Sequence, residues 1–347
     1  MTTEQRNDTA VLQAEHLTKH FPIREKTFSL HRVPVRAVED VSITLAKGSV
    51  TAVVGESGSG KSTLARMLAR LIVPTSGDVL LRGEKVPPGG VRRDYTRQVQ
   101  LVLQDPFSSL NPVHSVRYHL SRPLRIHGMA DGETDLERSI LDLLRRVALT
   151  PAEQFIDKYP HELSGGQRQR VAIARALAVR PEVLIADEPV SMLDVSIRLG
   201  LLNLLADLRD TEGLAILYVT HDIASARYLA DTIVVMYAGQ MIESGPAAEV
   251  TDNPSHPYTQ LLLRAAPDPD RAEPPALAGR GAPPSLVRPP AGCRFHPRCP
   301  QVMPVCSTTT PPTVQLDSGH ASACWLYAQE GTPEAGLSAS GAGEEAG

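Results

Sequence analysis

The run Gly55-Glu56-Ser57-Gly58-Ser59-Gly60-Lys61-Ser62 constrains this chain more than any other feature. It fits the pattern G-x-x-x-x-G-K-[ST]. An apolar, β-branched stretch (Ser49 to Val54) precedes it, and a segment with Leu64, Met67, Leu68 and Leu71 at helical spacing follows. Strand, glycine-rich loop and helix in that order make a phosphate cradle. Gly55, Gly58 and Gly60 let backbone N–H groups approach an anion, and the helix N-terminus adds the positive end of its dipole. Lys61 is placed to reach the β- and γ-phosphates of a nucleotide, and Ser62 to offer its hydroxyl to Mg²⁺. A chance glycine-rich turn is the alternative reading.

Two later segments argue against chance. Val183-Leu184-Ile185-Ala186-Asp187-Glu188 is an apolar strand ending in two carboxylates. Asp187 suits Mg²⁺, directly or through water, and Glu188 suits a general base that orients an attacking water. Alone, such a strand end could simply face solvent. Leu163-Ser164-Gly165-Gly166-Gln167 opens a helix that Ser164 caps, and its two glycines expose that terminus to a second anion contact. This second phosphate-facing motif cannot reach the nucleotide bound by the first within one chain, so the two together imply a dimer.

Composition sets the outer limits. The chain has 347 residues, enough for two or three domains, and 42% of them are hydrophobic, enough for a core. The net charge of −4 gives no support for bulk nucleic-acid binding. No apolar run approaches the roughly 18–20 residues that span a bilayer. The N-terminus is polar, without an apolar targeting core, so the expectation is a cytoplasmic protein that reaches a membrane only through a partner.

Along the chain, Val11–Leu17, Val41–Leu45, Val79–Leu81 and Val99–Leu103 read as strands. Residues 112–180 read as an inserted helical subdomain, with helices near 113–128, 134–148 and 165–179. Strand–helix alternation then resumes: strands at 183–186, 215–220 and 232–236, helices at 195–208 and 223–229. This pattern implies a largely parallel sheet covered by helices. Residues 267–292, rich in Pro, Ala and Gly, read as an extended linker, and the last twenty residues as disordered.

All four cysteines follow that linker, in the pattern C-x5-C-x6-C-x17-C: Cys293, Cys299, Cys306 and Cys324. Clustering of this kind favours a metal centre over scattered core cysteines. Four thiolates could hold tetrahedral Zn²⁺ or an iron–sulfur cluster, although the tight C-x2–4-C pairs of structural zinc sites are absent. Reduced thiols in a loose tail are the remaining reading. Because the linker separates this segment from the Gly-rich loop, its loss is expected to affect assembly before it affects ATP binding at Lys61.

From about residue 11 to 255 the motif set resembles the nucleotide-binding subunits of ABC transporters. That resemblance implies an α/β fold: a P-loop NTPase with a RecA-like core in two parts (1–111, with N-terminal antiparallel strands, and 181–255), the helical subdomain (112–180), a C-terminal extension with the cysteines (256–327) and a tail (328–347). It implies nucleotide contacts from residues 55 and 57–63, Thr63 included. Ser164, Gly165, Gly166, Gln167 and Asp194 are implied nucleotide contacts as well, with Ser164 and Gly166 reaching the nucleotide of the partner. Gln104 resembles the Q-loop glutamine that touches Mg²⁺ and senses the permease. Ser191-Met192-Leu193-Asp194 resembles the D-loop, with Met192 where Ala is usual. His221 resembles the switch histidine that bridges the γ-phosphate and Glu188. Phe21 stands where an aromatic, more often Tyr, stacks on adenine.

The likeness narrows further. Gln104 to Pro112, Ser164 to Arg170, Ala186 to Ser191 and His256-Pro257-Tyr258-Thr259-Gln260-Leu261-Leu262 are similar to the dipeptide/oligopeptide importer ATPases. Members of that subfamily carry a similar cysteine tail holding a [4Fe-4S] cluster. The implied protein is a peptide-import ATPase at the cytoplasmic face of the cell membrane. Its implied partners are a second ATPase subunit, two permease subunits and an extracytoplasmic solute-binding protein, and no nucleic acid. Import of nickel or another small solute is the alternative. A soluble ABC ATPase acting on nucleic acid or ribosomes fits less well, because this chain has one cassette and no long coiled-coil insertion.

Overall fold

The computed structural model describes residues 10–24, 32–89, 93–105, 109–265, 282–317 and 319–328. The expected disordered tail from residue 329 on and part of the 267–292 linker lie outside the described residues.

Two sheets organise the described residues. The first is antiparallel, in the order β2-β1-β4-β5: β1 (Ala10–Arg24), β2 (Arg32–Ala46), β4 (Ser76–Leu81) and β5 (Glu84–Lys85). The second has eight strands in the order β11-β12-β10-β9-β3-β8-β7-β6. Its parallel part comprises β6 (Val99–Val102), β7 (Val183–Asp187), β8 (Ala215–Thr220), β3 (Val50–Val54) and β9 (Thr232–Tyr237). These strands are continuous apolar runs because both faces are covered.

Residue alternation sorts the two faces. Val50, Ala52, Val54, Leu184, Ala186, Ile216 and Tyr218 enter one core. That core also takes in the helices between β6 and β7: α3 (Val116–Ile126), α4 (Gly132–Arg146) and α5 (Gly165–Leu177). Val53, Ile185, Leu217, Val219 and Met236 point the other way. They meet Leu64, Met67 and Leu68 of α1 (Lys61–Leu68) and the inner face of the antiparallel sheet. The period-2 pleat thus separates a helical layer from a β layer. The helices expected near 113–128, 134–148 and 165–179 are present; the first and third are shorter than expected, and the second begins and ends two residues earlier. Among the described residues, a short helix, α2 (Arg93–Gln98), precedes β6 where none was expected.

The C-terminal part departs from the expected separate tail. Strand β10 (Gln240–Pro246) pairs with β9 and also with β12 (His320–Ser322), which pairs in turn with β11 (Val314–Asp317). The extension therefore continues the eight-stranded sheet. Its anchor is Glu243 on β10, whose buried carboxylate accepts from the N–H groups of Ser255 (2.7 Å) and His256 (3.0 Å) and meets His320 Nε2 at 2.8 Å. One carboxylate ties together the sheet, the start of the helix Pro257–Ala265 and the terminal hairpin.

Candidate functional site

The Gly-rich loop, the ends of β7 and β8 and the Gln104 loop meet over the carboxyl ends of the parallel strands, the usual ligand position of such sheets. They line a cleft of about 720 Å³ together with Ala37, Leu262 and Leu286. Residues 56–63, Gln104, Glu188 and His221 all face it.

Glycines are dictated here by space as well as by conformation. A Cβ on Gly55 would lie 2.2 Å from the Met236 carbonyl, and one on Gly60 2.3 Å from the Ala37 carbonyl. Gly58 meets nothing within 4 Å, and its φ of +79° is what requires glycine.

Lys61 is buried, and its ammonium donates to the carbonyls of Gly55 (2.7 Å) and Glu56 (2.9 Å). Burial pushes its pKa down, against the opposing pull of Glu188, Asp187 and Glu56. A buried cation held by two neutral carbonyls and, at 3.5 Å, the Ser59 hydroxyl is a ready partner for phosphate oxygens. Ser62 Oγ donates to Asp187 Oδ1 at 2.9 Å, and burial pushes the Asp187 carboxyl up. A hydroxyl beside a desolvated carboxylate fits a hard, oxygen-seeking cation such as Mg²⁺.

Glu188 follows β7 with φ +47°, a strained value for a non-glycine residue. Its N–H donates to the Val219 carbonyl, which pins it against the end of β8. One oxygen, Oε2, accepts from Gln104 Nε2 at 3.0 Å and lies 3.3 Å from His221 Nδ1. The expected base, Q-loop glutamine and switch histidine are thus gathered on one oxygen.

Other expected residues lie elsewhere. Ser164 and Gln167 complete a reciprocal cap on α5: Gln167 N–H donates to Ser164 Oγ at 3.3 Å and Ser164 N–H to Gln167 Oε1 at 2.9 Å. Neither these two nor Gly165, Gly166 and Asp194 line the cleft. Asp194 is exposed at the start of α6 (Val195–Glu212). Gly166 has a packing reason of its own, since a Cβ there would meet Ile197 Cγ2 at 2.5 Å. Phe21 sits on β1 opposite Val35, with the Lys19 ammonium 5.1 Å from its ring centroid, and does not line the cleft. The apolar wall comes instead from Ala37, Leu262 and Leu286, two of them from the C-terminal extension; Leu262 ends the importer-like segment that starts at His256, and Leu286 lies in the linker, where no motif marks it.

The four cysteines occupy one neighbourhood. Cys306 and Cys324 are buried, Cys293 and Cys299 half-buried, and Cys293 N–H donates to the Cys306 carbonyl at 2.9 Å. Burial pushes the thiols of Cys293, Cys299 and Cys324 up, the last to about 11. Opposing that, the nearby backbone N–H groups of Phe295, Gln301 and Leu326 pull these three thiols down. Among the described residues, no three His, Cys, Asp or Glu side chains are gathered as one metal site.

The expectation that this segment stands apart from the Gly-rich loop is corrected by the fold. Arg298, between Cys293 and Cys299, forms an ion pair with Glu56 inside the loop. Arg294, next to Cys293, pairs with Glu39 and donates to the Ala238 carbonyl. The linker separates the two segments in sequence only, because strand pairing and these ion pairs return the extension to the cleft.

Residues 38–191 match the family described as ABC transporter, and residues 242–306 match the oligopeptide/dipeptide transporter C-terminal region. The probable peptide ABC transporter ATP-binding protein y4tS of Sinorhizobium fredii is 45% identical, covering 92% of this chain and 90% of its own. The oligopeptide transport ATP-binding protein AppF of Bacillus subtilis is 41% identical, covering 92% and 98% respectively. Among solved structures, the dimeric post-hydrolysis form of the ATP-binding cassette MJ0796, bound to ADP and Pi, aligns with a TM-score of 0.59 at 28% identity. It covers 68% of this chain and 98% of that one.

Proposed function

The chain belongs to the ATP-binding subunits of ABC transporters, in the branch with the oligopeptide/dipeptide C-terminal region; it hydrolyses ATP to power peptide import, and we propose that it does so as one half of a head-to-tail ATPase pair. The observation that carries the pairing is a division of parts. Lys61, Ser62, Gln104, Glu188 and His221 converge on one cleft, while the capped Ser164 helix end lies outside it.

In this reading the cleft takes ATP, with Lys61 moving from the Gly55 and Glu56 carbonyls to the β- and γ-phosphates. Ser62, Asp187 and Gln104 would hold Mg²⁺, which when bound offsets charge on the phosphates. Glu188 orients the attacking water. His221 steadies Glu188 and the terminal phosphate, and Ser164 and Gly166 of a second subunit close over the phosphates from the other side. Positioning and charge stabilisation supply nearly all of the catalysis.

We propose further that the partner ATPase is a paralogue and that segment 112–180, with the Gln104 loop, forms a subdomain that docks against two permease subunits. An extracytoplasmic solute-binding protein would deliver the peptide. The subunit would then sit at the cytoplasmic face of the membrane; among the described residues no helix is long and apolar enough to cross one. The four cysteines we assign to one thiolate-held centre, a [4Fe-4S] cluster, with Zn²⁺ as the alternative. Donor type and the closeness of Cys293 to Cys306 support that assignment; the spacing of the thiols does not, and no step of the reaction passes through it. Iron near four per chain after anaerobic preparation supports the cluster, zinc at one per chain the alternative, and metal-free protein overturns both.

The pairing is tested by diluting the purified subunit. ATPase rate per subunit should fall with dilution, and Ser164→Arg should suppress turnover while ATP binding persists. Full, concentration-independent activity in a proven monomer overturns the head-to-tail arrangement.

A further inference from the structure

Glu56 occupies a position that the Gly-rich motif leaves free, yet all of its polar groups are engaged. Its carboxylate receives a bidentate pair from Arg298, Nη1 to Oε2 at 2.9 Å and Nη2 to Oε1 at 3.0 Å. Its N–H donates to the Tyr258 hydroxyl at 2.9 Å. Its carbonyl accepts from Lys61 Nζ and, at 3.2 Å, from Ser59 N–H. The carboxylate and N–H partners both come from the C-terminal extension, and the carbonyl partners both come from the loop itself.

The Arg298 side of the contact is built and rigid. Its side chain is 10% exposed, and Nη1 also donates to the Tyr237 hydroxyl at 3.2 Å. The guanidinium carbon lies 5.8 Å from the Tyr237 ring centroid and 6.0 Å from that of Phe295. Those two rings and Tyr258 pack on one another as a fully buried aromatic cluster. The planar fork is thus fixed in place before it meets the carboxylate, the arrangement in which an arginine pair is strongest and most directional. Leu286 adds a second link, since its carbonyl accepts from Arg36 N–H at 2.9 Å while its side chain lines the cleft.

We propose that Arg298 is a positioning residue for nucleotide binding: through Glu56 it holds the Gly-rich loop in its phosphate-receiving shape, so that the C-terminal extension is part of the ATP site. The physical need is clear. A loop with glycines at 55, 58 and 60 loses much conformational entropy when its N–H groups are aligned on phosphates, and any tether that fixes the loop beforehand lowers that cost. Gly55 and Gly60 are seated against the core by backbone contact, whereas Glu56 is tied down by the extension. The inference rests on the Gly-rich loop being the ATP site, which Lys61→Ala tests separately.

The experiment measures the Kd of a fluorescent ATP analogue, together with kcat, KM for ATP and thermal midpoint, on the full chain. Arg298→Met should weaken analogue binding and raise KM by about 5- to 50-fold, with kcat at saturating ATP changed by no more than about twofold. Arg298→Lys should recover part of the loss. Glu56→Ala removes the same pair from its more exposed side, so the test survives if Arg298→Met does not fold. The double variant should bind no worse than the weaker single one, because both changes delete one interaction. Wild-type Kd in either well-folded single variant, or losses that multiply in the double, overturn the proposal. Lys61→Ala with intact analogue binding would overturn the phosphate-site reading itself, whatever Arg298 does.

Discussion

His221 Nδ1 lies 3.3 Å from Glu188 Oε2, the oxygen that also accepts from Gln104 Nε2 at 3.0 Å. Two side chains from separate loops thus fix one carboxylate that the strained backbone at residue 188 already presents. A group held from three directions before substrate arrives needs little reorganisation during reaction.

Glu188→Gln should therefore cost about 10²- to 10⁴-fold in turnover and leave ATP affinity close to wild type. The amide keeps an oxygen that can accept from Gln104, so the geometry survives while the base is lost. Single-turnover hydrolysis beside an ATP-binding titration separates the two effects. Near-wild-type turnover would remove Glu188 from the base role.

Much of this site was legible because it is local. Strand, loop and helix at 50–68 declare themselves in consecutive residues, and so does the carboxylate pair at the end of β7. What stayed hidden depends on contacts distant in sequence. Arg298 and Glu56 are 242 positions apart, and neither stands at a motif position. Strand β12 has only three residues, His320–Ser322, too few for a periodicity, and it exists because β10 offers an edge. Leu262 and Leu286 line the cleft through tertiary placement alone. Phe21 lies on β1 opposite Val35 and is not among the residues that line the cleft.

Gly166 separates packing from anion binding. A Cβ at this position meets Ile197 Cγ2 at 2.5 Å, whereas one at Gly165 would be 3.6 Å from the Leu193 side chain, an ordinary contact. Gly166→Ala should thus destabilise by about 1–3 kcal/mol through overpacking, and Gly165→Ala should be nearly neutral for stability. Adding Ile197→Ala, which removes the clashing methyl, should restore part of the Gly166→Ala loss. Denaturant midpoints of the three variants decide; equal cost at 165 and 166 would contradict the packing account.

The last prediction concerns acid stability at the joint of the extension. His256 is 1% exposed, and burial pushes its pKa down to about 3 from an ordinary value near 6.5. Its Nδ1 accepts from Tyr258 N–H at 3.0 Å, so the neutral ring carries its proton on Nε2, which among the described residues has no hydrogen-bond partner. The folded state binds this proton less readily than the unfolded chain. The neutral ring's contribution is therefore complete above about pH 6.5 and is lost as pH falls from there toward 3. His256→Asn removes the titration while its side-chain oxygen can still accept from the N–H two residues on. Glu243 and His320, which adjoin this position, remain in both proteins, so the difference between them isolates His256. Thermal midpoints measured from pH 7 to pH 4 should fall more steeply for the wild type than for His256→Asn. Parallel curves would show that some other group sets the acid limit of this fold.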